Sequence, residues 1–222
     1  MKYSIVKNGN SRSFPKGDDP FVGHASEKAD VVVYLGAFHA PGSHEPDNSK
    51  RAIVLELDIE CLGVHTGESA GEEGSNVVGF ARYRNGDDPP SDLVELVCQP
   101  KTQQTAIDAA RRVFETAGLK VVVCSDQTGR IIDRLVRPKY NAALRFLDEG
   151  LASAKDMDVT CRLGLGYADG PIERVERGGL ARHYDITQNL FETWGTPGFA
   201  PARRAVVAHQ RRRQANPKNR AC

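Results

Sequence analysis

The sequence predicts an α/β layer followed by an all-α half, on three observations. "ADVVVYLGAF", Ala29 to Phe38, is a continuous apolar, β-branched run, the pattern of a strand covered on both faces in a parallel sheet. "TQQTAIDAARRVFETAG" carries Ala106, Ala109, Ala110, Val113 and Ala117 on one helical stripe, and "LKVVVC" then returns as a strand. Strand–helix–strand is the unit of an α/β layer. After Cys124 the short apolar runs give way to long helical patterns.

The elements follow in order. The first 28 residues are rich in Gly, Pro, Ser, Asn and Asp, and only "KYSIV" reads as a short strand. After the "ADVVV" strand comes a loop, "HAPGSHEPDNSK", and then "RAIVLELD", which fits a helix or a strand. "ECLGVHT", "NVVGFARY" and "DLVELV" are further short apolar runs. Thr102 can cap the next helix and Gly118 can end it. "GRIIDRLVRPKYNAALRFLDEG" is expected to be a long helix with a kink at Pro138. Ser153 and Asp156 form a capping box for a second helix, expected to run to Leu163 and stop at Gly164. Pro171 suits the first position of a third, "PIERVER", ended by Gly178 or Gly179. "ARHYDITQNLFETWG" is a fourth, with Ile186, Leu190 and Trp194 on one stripe. The expected division is residues 1–126, 127–202 and a tail, 203–222.

Composition bounds the function. The chain has 222 residues, 40% hydrophobic and 27% charged, the balance of an ordinary soluble protein with a real core. No stretch is long and apolar enough for a membrane helix, and "MKYSIVKNGNSRSF" lacks a signal-peptide core, so a cytoplasmic protein is expected. Cys61, Cys98, Cys124, Cys161 and Cys222 form no C-x-x-C pair, which argues against a zinc site or a disulfide framework and for free thiols. The net charge of +1 hides a basic tail: Arg203, Arg204, Arg211, Arg212, Arg213, Lys218 and Arg220, with no acidic residue among them. Such a tail could contact nucleic acid or a phosphorylated ligand, or be a solvated terminus. No aromatic interleaves the arginines, so base stacking is not signalled.

"LGLGYADGP", Leu163 to Pro171, comes close to the phosphate-binding pattern G-x-G-x-x-G. That pattern works by linking a strand to a helix whose N-terminus faces the pyrophosphate. Here "MDVTCRL" precedes it and reads as the end of a helix, so the glycines are expected to cap and turn rather than to bind.

The segment from Gly129 to Leu180 resembles the C-terminal domain of 3-hydroxyacyl-CoA dehydrogenases. That family shows a proline-interrupted helix with N-R-L, then E-G-x-A, D-x-D, L-G-x-G-Y and G-P-x-E. All but the asparagine stand here in order. More weakly, "ADVVVYLGAF" is similar to the strand before the cofactor-proximal loop. "LGVHTGES" sits where the family has an N-T-S-S turn, and "VVGFARYRNG…LVELV" where it has I-G-x-H-F-F-N-P and L-V-E.

The resemblance implies a shortened Rossmann-like parallel-sheet domain followed by a helical domain of this type. It also implies NAD as cofactor, an acyl-CoA-type ligand, and a homodimer through the helical domain. In the family a histidine polarised by a glutamate removes the hydroxyl proton while hydride leaves for the nicotinamide, and an asparagine and a serine hold the substrate. The glutamate maps to Glu95. The histidine maps to Ala81, so the base is missing. The asparagine maps to Asp133. The turn maps near His65, Thr66, Gly67 and Ser69. Only 28 residues precede the "ADVVV" strand, and they hold no G-x-G-x-x-G, so no cofactor-binding residue is assigned. Three readings stand: a degenerate member that keeps the fold and an acyl-CoA-type ligand, an active dehydrogenase with His65 as substitute base, and an interaction protein using the basic tail.

Overall fold

The computed structural model describes residues 1–17, 19–36, 44–45, 47–67 and 75–215. They divide into two compact units. One holds Met1–Arg84 and Pro89–Ile131; the other holds Asn85–Asp88 and Ile132–Cys222. The main division thus falls a few residues beyond the expected 126/127, and the β4–β5 loop (strands defined below) lends four residues to the second unit.

The first unit is a six-stranded sheet ordered β1 to β6 as in the chain: β1 (Ser4–Lys7), β2 (Val31–Leu35), β3 (Ala52–Glu56), β4 (Val77–Arg82), β5 (Leu93–Cys98) and β6 (Lys120–Ser125). β1 to β4 are parallel, β5 is antiparallel to β4, and β6 is parallel to β5. The ambiguous "RAIVLELD" run is therefore a strand. All five residues of β3 are buried, because both faces of a parallel sheet are covered. Two short helices, α1 (Pro20–Gly23) and α2 (Gly63–Thr66), lie in the connections. α3 (Gln104–Thr116) joins β5 to β6 and buries Ala106, Ala109, Ala110 and Val113 of the expected stripe with Ile107 and Phe114, while Ala117, also expected on it, is the exposed C-cap residue.

α3 packs in a cluster with Val33, Val54, Phe80, Val94 and Leu96. Phe14, Phe21, Phe114 and Phe80 stack through it, with successive ring centroids 4.4, 5.3 and 4.9 Å apart. A second cluster is built from Tyr34, Ile53, Leu55, Leu57, Leu62, Val77 and Val97. Thr102 does not cap α3. Its hydroxyl accepts from Gln99 N at 2.9 Å, and the helix starts two residues later with no side-chain cap.

The second unit is helical: α4 (Ile132–Asp148), α5 (Ala154–Leu165), α6 (Pro171–Arg177), α7 (Leu180–Trp194) and α8 (Arg203–Ala215), with a 3₁₀ turn at Pro197–Phe199. α4 continues through Pro138. Ser153 caps α5 as expected, accepting from Asp156 N at 3.1 Å. α5 does not stop at Gly164; it runs on to Leu165. Gly166 ends it in the left-handed region, φ 70°, with its N–H bonded to Cys161 O. A residue with a Cβ would pay for that conformation, which is why the second glycine is the cap.

The turn that follows is organised by Asp158. Its carboxylate accepts from Ile172 N at 2.8 Å and Glu173 N at 3.0 Å, capping α6 from inside the unit. Gly170 makes this possible, since a Cβ there would collide with the Asp158 side chain. "LGLGYADGP" is thus a helix stop and a capped helix start. The stretch expected as a tail includes α8 over residues 203–215. Arg203 and Arg204 both pair with Asp148, at 3.1 and 2.7 Å, and Arg212 pairs with Asp185 at 2.6 Å.

Candidate active site

β4 and β5 bring Ala81 and Glu95 into register as directly opposed residues. Cross-strand partners have Cβ atoms about 4.5–5.5 Å apart, so a base at 81 and an orienting carboxylate at 95 would touch. Both residues are buried. Glu95 Oε1 accepts from Ile131 N at 2.9 Å, and Oε2 forms an ion pair with Arg130 Nε at 3.4 Å. Arg130 takes φ 47°, outside the usual range for a residue with a side chain, and its Nη2 donates to Asp58 O at 2.7 Å. Only 6% of its side chain and 4% of that of Glu95 are exposed. A guanidinium is a permanent cation with no lone pair to offer, so it neutralises Glu95 but cannot accept a proton.

His65 lies on α2, whose first N–H groups are held by Asp126: Leu62 N and Gly63 N each donate at 2.7 Å. His65 Nε2 is 3.3 Å from Glu60 Oε1. Burial pushes the Glu60 carboxyl up, but the His65 hydrogen bond and the backbone N–H groups of Glu60 and Asp58 outweigh it and hold it below the ordinary range. The His65 side chain is 1% exposed. Thr66 Oγ1 is within reach of Gln99 Oε1 at 3.0 Å and Leu62 O at 3.2 Å. Ser69 lies outside the described residues.

A third cluster sits at the carboxyl ends of β1 to β3. Glu56, the last residue of β3, accepts from Ser11 Oγ at 2.9 Å and Ser13 N at 2.7 Å on one oxygen, and from Gly36 N at 2.7 Å on the other.

In the helical unit, Asp133 accepts from Arg137 Nε at 2.7 Å. Arg137 Nη1 reaches His183 Nδ1 at 3.3 Å, and His183 Nε2 reaches Asn141 Oδ1 at 2.9 Å. Arginine only donates, so Nδ1 accepts and Nε2–H donates, which makes the imidazole neutral. Burial first, and the Arg137 charge second, push the His183 pKa down to about 3.

The model of the "3-hydroxyacyl-CoA dehydrogenase, C-terminal domain" matches residues 129–220. Over this helical half the chain is similar to 3-hydroxyacyl-CoA dehydrogenases. It is 35% identical over 106 residues to the mitochondrial hydroxyacyl-coenzyme A dehydrogenase of Sus scrofa, covering 48% of this chain and 32% of that protein. It is 31% identical over 114 residues to a 3-hydroxybutyryl-CoA dehydrogenase of Mycobacterium tuberculosis, covering 51% and 40%. The chain thus spans about a third of the length of the first curated relatives it matches. In fold it is similar to the crystal structure of M. tuberculosis FadB2, with a TM-score of 0.70 at 21% identity, over 84% of this chain and 67% of that one. It is also similar to the (S)-3-hydroxybutyryl-CoA dehydrogenase PaaH1 of Ralstonia eutropha, with a TM-score of 0.65 at 18% identity, covering 84% and 66%.

Of the residues singled out in the sequence, Glu95 stands opposite Ala81 across β4 and β5. His65 and Thr66 share α2, with Glu60 and Gln99 as partners, while Asp133 joins the Arg137–His183–Asn141 network. Sequence reading missed Arg130, Glu56 and that network. A buried arginine just after Gly129 offers no local signal, and neither does a glutamate ending an apolar run.

Proposed function

We propose that this chain is a 3-hydroxyacyl-CoA dehydrogenase relative that has lost hydride transfer, with an acyl-CoA-type thioester as its ligand class. One observation carries the reading: the cross-strand partner of Glu95 is an alanine, and the carboxylate is paired with Arg130 instead. Proton removal from a hydroxyl needs a group with a free lone pair near neutral pKa, and neither alanine nor guanidinium supplies one. Loss of a positioned base costs on the order of 10² to 10⁴ in rate.

His65 with Glu60 behind it has the form of a base and its orienting carboxylate, which favours the second reading, an active dehydrogenase with a substitute base. Its burial argues against that, because an imidazole 1% exposed cannot reach a substrate hydroxyl. For the third reading, Arg203, Arg204 and Arg212 are engaged by Asp148 and Asp185, which ties three of the seven basic residues of this stretch to the helical unit.

A second copy of the chain is the expected protein partner. Support comes from large apolar side chains left exposed on the helical unit, including Leu135, Phe146, Leu151, Leu163 and Leu165. Cys98, Cys124 and Cys161 are free thiols, in keeping with a reducing compartment such as the cytoplasm. Calorimetric titration with acetoacetyl-CoA, together with an NADH-linked turnover assay, tests the reading. Thioester binding without turnover supports it, and turnover overturns it.

A further inference from the structure

Ligands of open α/β sheets bind beyond the carboxyl ends of the strands, and in a dinucleotide fold the turn after the first strand supplies N–H groups to the pyrophosphate. This chain keeps such a strand: β1 lies at the sheet edge, parallel to β2. The turn after β1 still supplies donors, but they are already spent. Ser13 N and Ser11 Oγ donate to Glu56 Oε1, and Gly36 N, the first amide beyond β2, donates to Oε2. The glutamate is 3% exposed.

The arrangement is locked from both sides. Ser11 Oγ also accepts from Phe14 N at 2.8 Å, and Arg82 Nη1 donates to Ser13 O at 2.8 Å. Three donors converging on one buried carboxylate form an anion cradle, and hydrogen bonds to an ionised acceptor are the strong kind.

We infer that Glu56 is an internal anion that fills the phosphate cradle at the carboxyl ends of β1 and β2, so that this edge does not take a dinucleotide. The residues present do not fit NAD there. A pyrophosphate would have to displace a carboxylate tethered to β3, and without displacing it would meet that negative charge in a site of low dielectric. This inference rests on the sheet edge alone and is independent of the Ala81–Glu95 argument.

The test has two arms. In the first, the intact chain is titrated with NADH and followed by nicotinamide fluorescence. The expected result is no saturation up to concentrations on the order of 1 mM. Saturable binding below that, competed by inorganic pyrophosphate, overturns the inference. Binding without turnover would overturn this inference and leave the proposed function standing.

In the second arm, Glu56→Ala is melted with and without sodium acetate. Removing the acceptor of three donors is expected to lower Tm by roughly 5–10 °C. Acetate should restore it saturably, and sodium chloride at equal ionic strength should not. A variant that melts with the parent chain, or a folded variant whose Tm no carboxylate raises, counts against the internal anion. If Glu56→Ala does not fold, Glu56→Gln replaces it. It keeps the shape but turns an amide NH₂ on donors, and should melt below the parent chain; equal melting overturns the inference.

Discussion

Ala81 lies directly opposite Glu95 across β4 and β5, and the Glu95 carboxylate is held by Arg130 Nε at 3.4 Å and Ile131 N at 2.9 Å. The Glu95 carboxylate is thus half of a buried ion pair. In such a pair each charge is tolerated because of the other, so removing one partner strands the other in the protein interior.

Arg130→Leu should therefore destabilise the first unit by about 3 kcal/mol, and adding Glu95→Gln should recover much of the loss. Urea unfolding of both single variants and the double variant checks this. Additive losses would show that the two residues act separately.

A histidine placed at position 81 should meet a Glu95 that is already paired. In Ala81→His the new imidazole faces a glutamate already neutralised by Arg130, and the nearby cation should push its pKa down. In Ala81→His with Arg130→Leu, Glu95 is released and should raise it. An NMR titration of the introduced histidine reads the order of the two values. Equal values in both backgrounds would mean that Arg130 does not compete for Glu95.

The helical unit should be acid-sensitive through His183. Its folded pKa of about 3 lies below the ordinary 6.5, so the unfolded chain binds the extra proton first. The neutral form's stability is fully present above pH 6.5 and is lost as pH falls toward 3. Relative to the parent chain, His183→Gln should flatten the fall in unfolding free energy across that window. Parallel pH profiles would contradict a buried neutral imidazole.

Asp133 should matter for folding through Arg137, whose guanidinium it meets at 2.7 Å. Asp133→Asn is expected to cost about 1–3 kcal/mol, because a buried cation loses its counter-charge. Denaturant midpoints give the size. A variant with unchanged stability and weakened acetoacetyl-CoA binding would instead make Asp133 a ligand contact.

Gly170→Ala should destabilise the α5–α6 turn by about 1–3 kcal/mol, since the added methyl group meets the Asp158 carboxylate that caps α6. Asp158→Ala should cost about 1 kcal/mol through the lost cap. Thermal unfolding of the pair distinguishes the two effects.

Local signals were legible in the sequence. The unbroken β-branched run at β2, the alanine stripe of α3, the Ser153 cap and the Gly170-Pro171 helix start each act over a few residues, and each stands where its pattern placed it. The end of α5 was misplaced by two residues because two glycines compete for the cap, and only the backbone angle of Gly166 decides between them. Ala81 and Glu95 were singled out by a motif alignment, but that they face each other is read from the strand register. The partners that define the chemistry were not singled out: Arg130, the Ser11–Ser13 turn and Gly36 reach their carboxylates from remote parts of the chain. Such contacts leave no periodicity and no spacing to read.

The central claim is that the chain, lacking a base beside Glu95, transfers no hydride. The most direct measurement is the absorbance of NADH mixed with acetoacetyl-CoA and the purified protein. The expected trace does not fall faster than the protein-free control. A decay that scales with protein concentration and corresponds to turnover of roughly 1–10³ s⁻¹, the ordinary range for an enzyme, would contradict it.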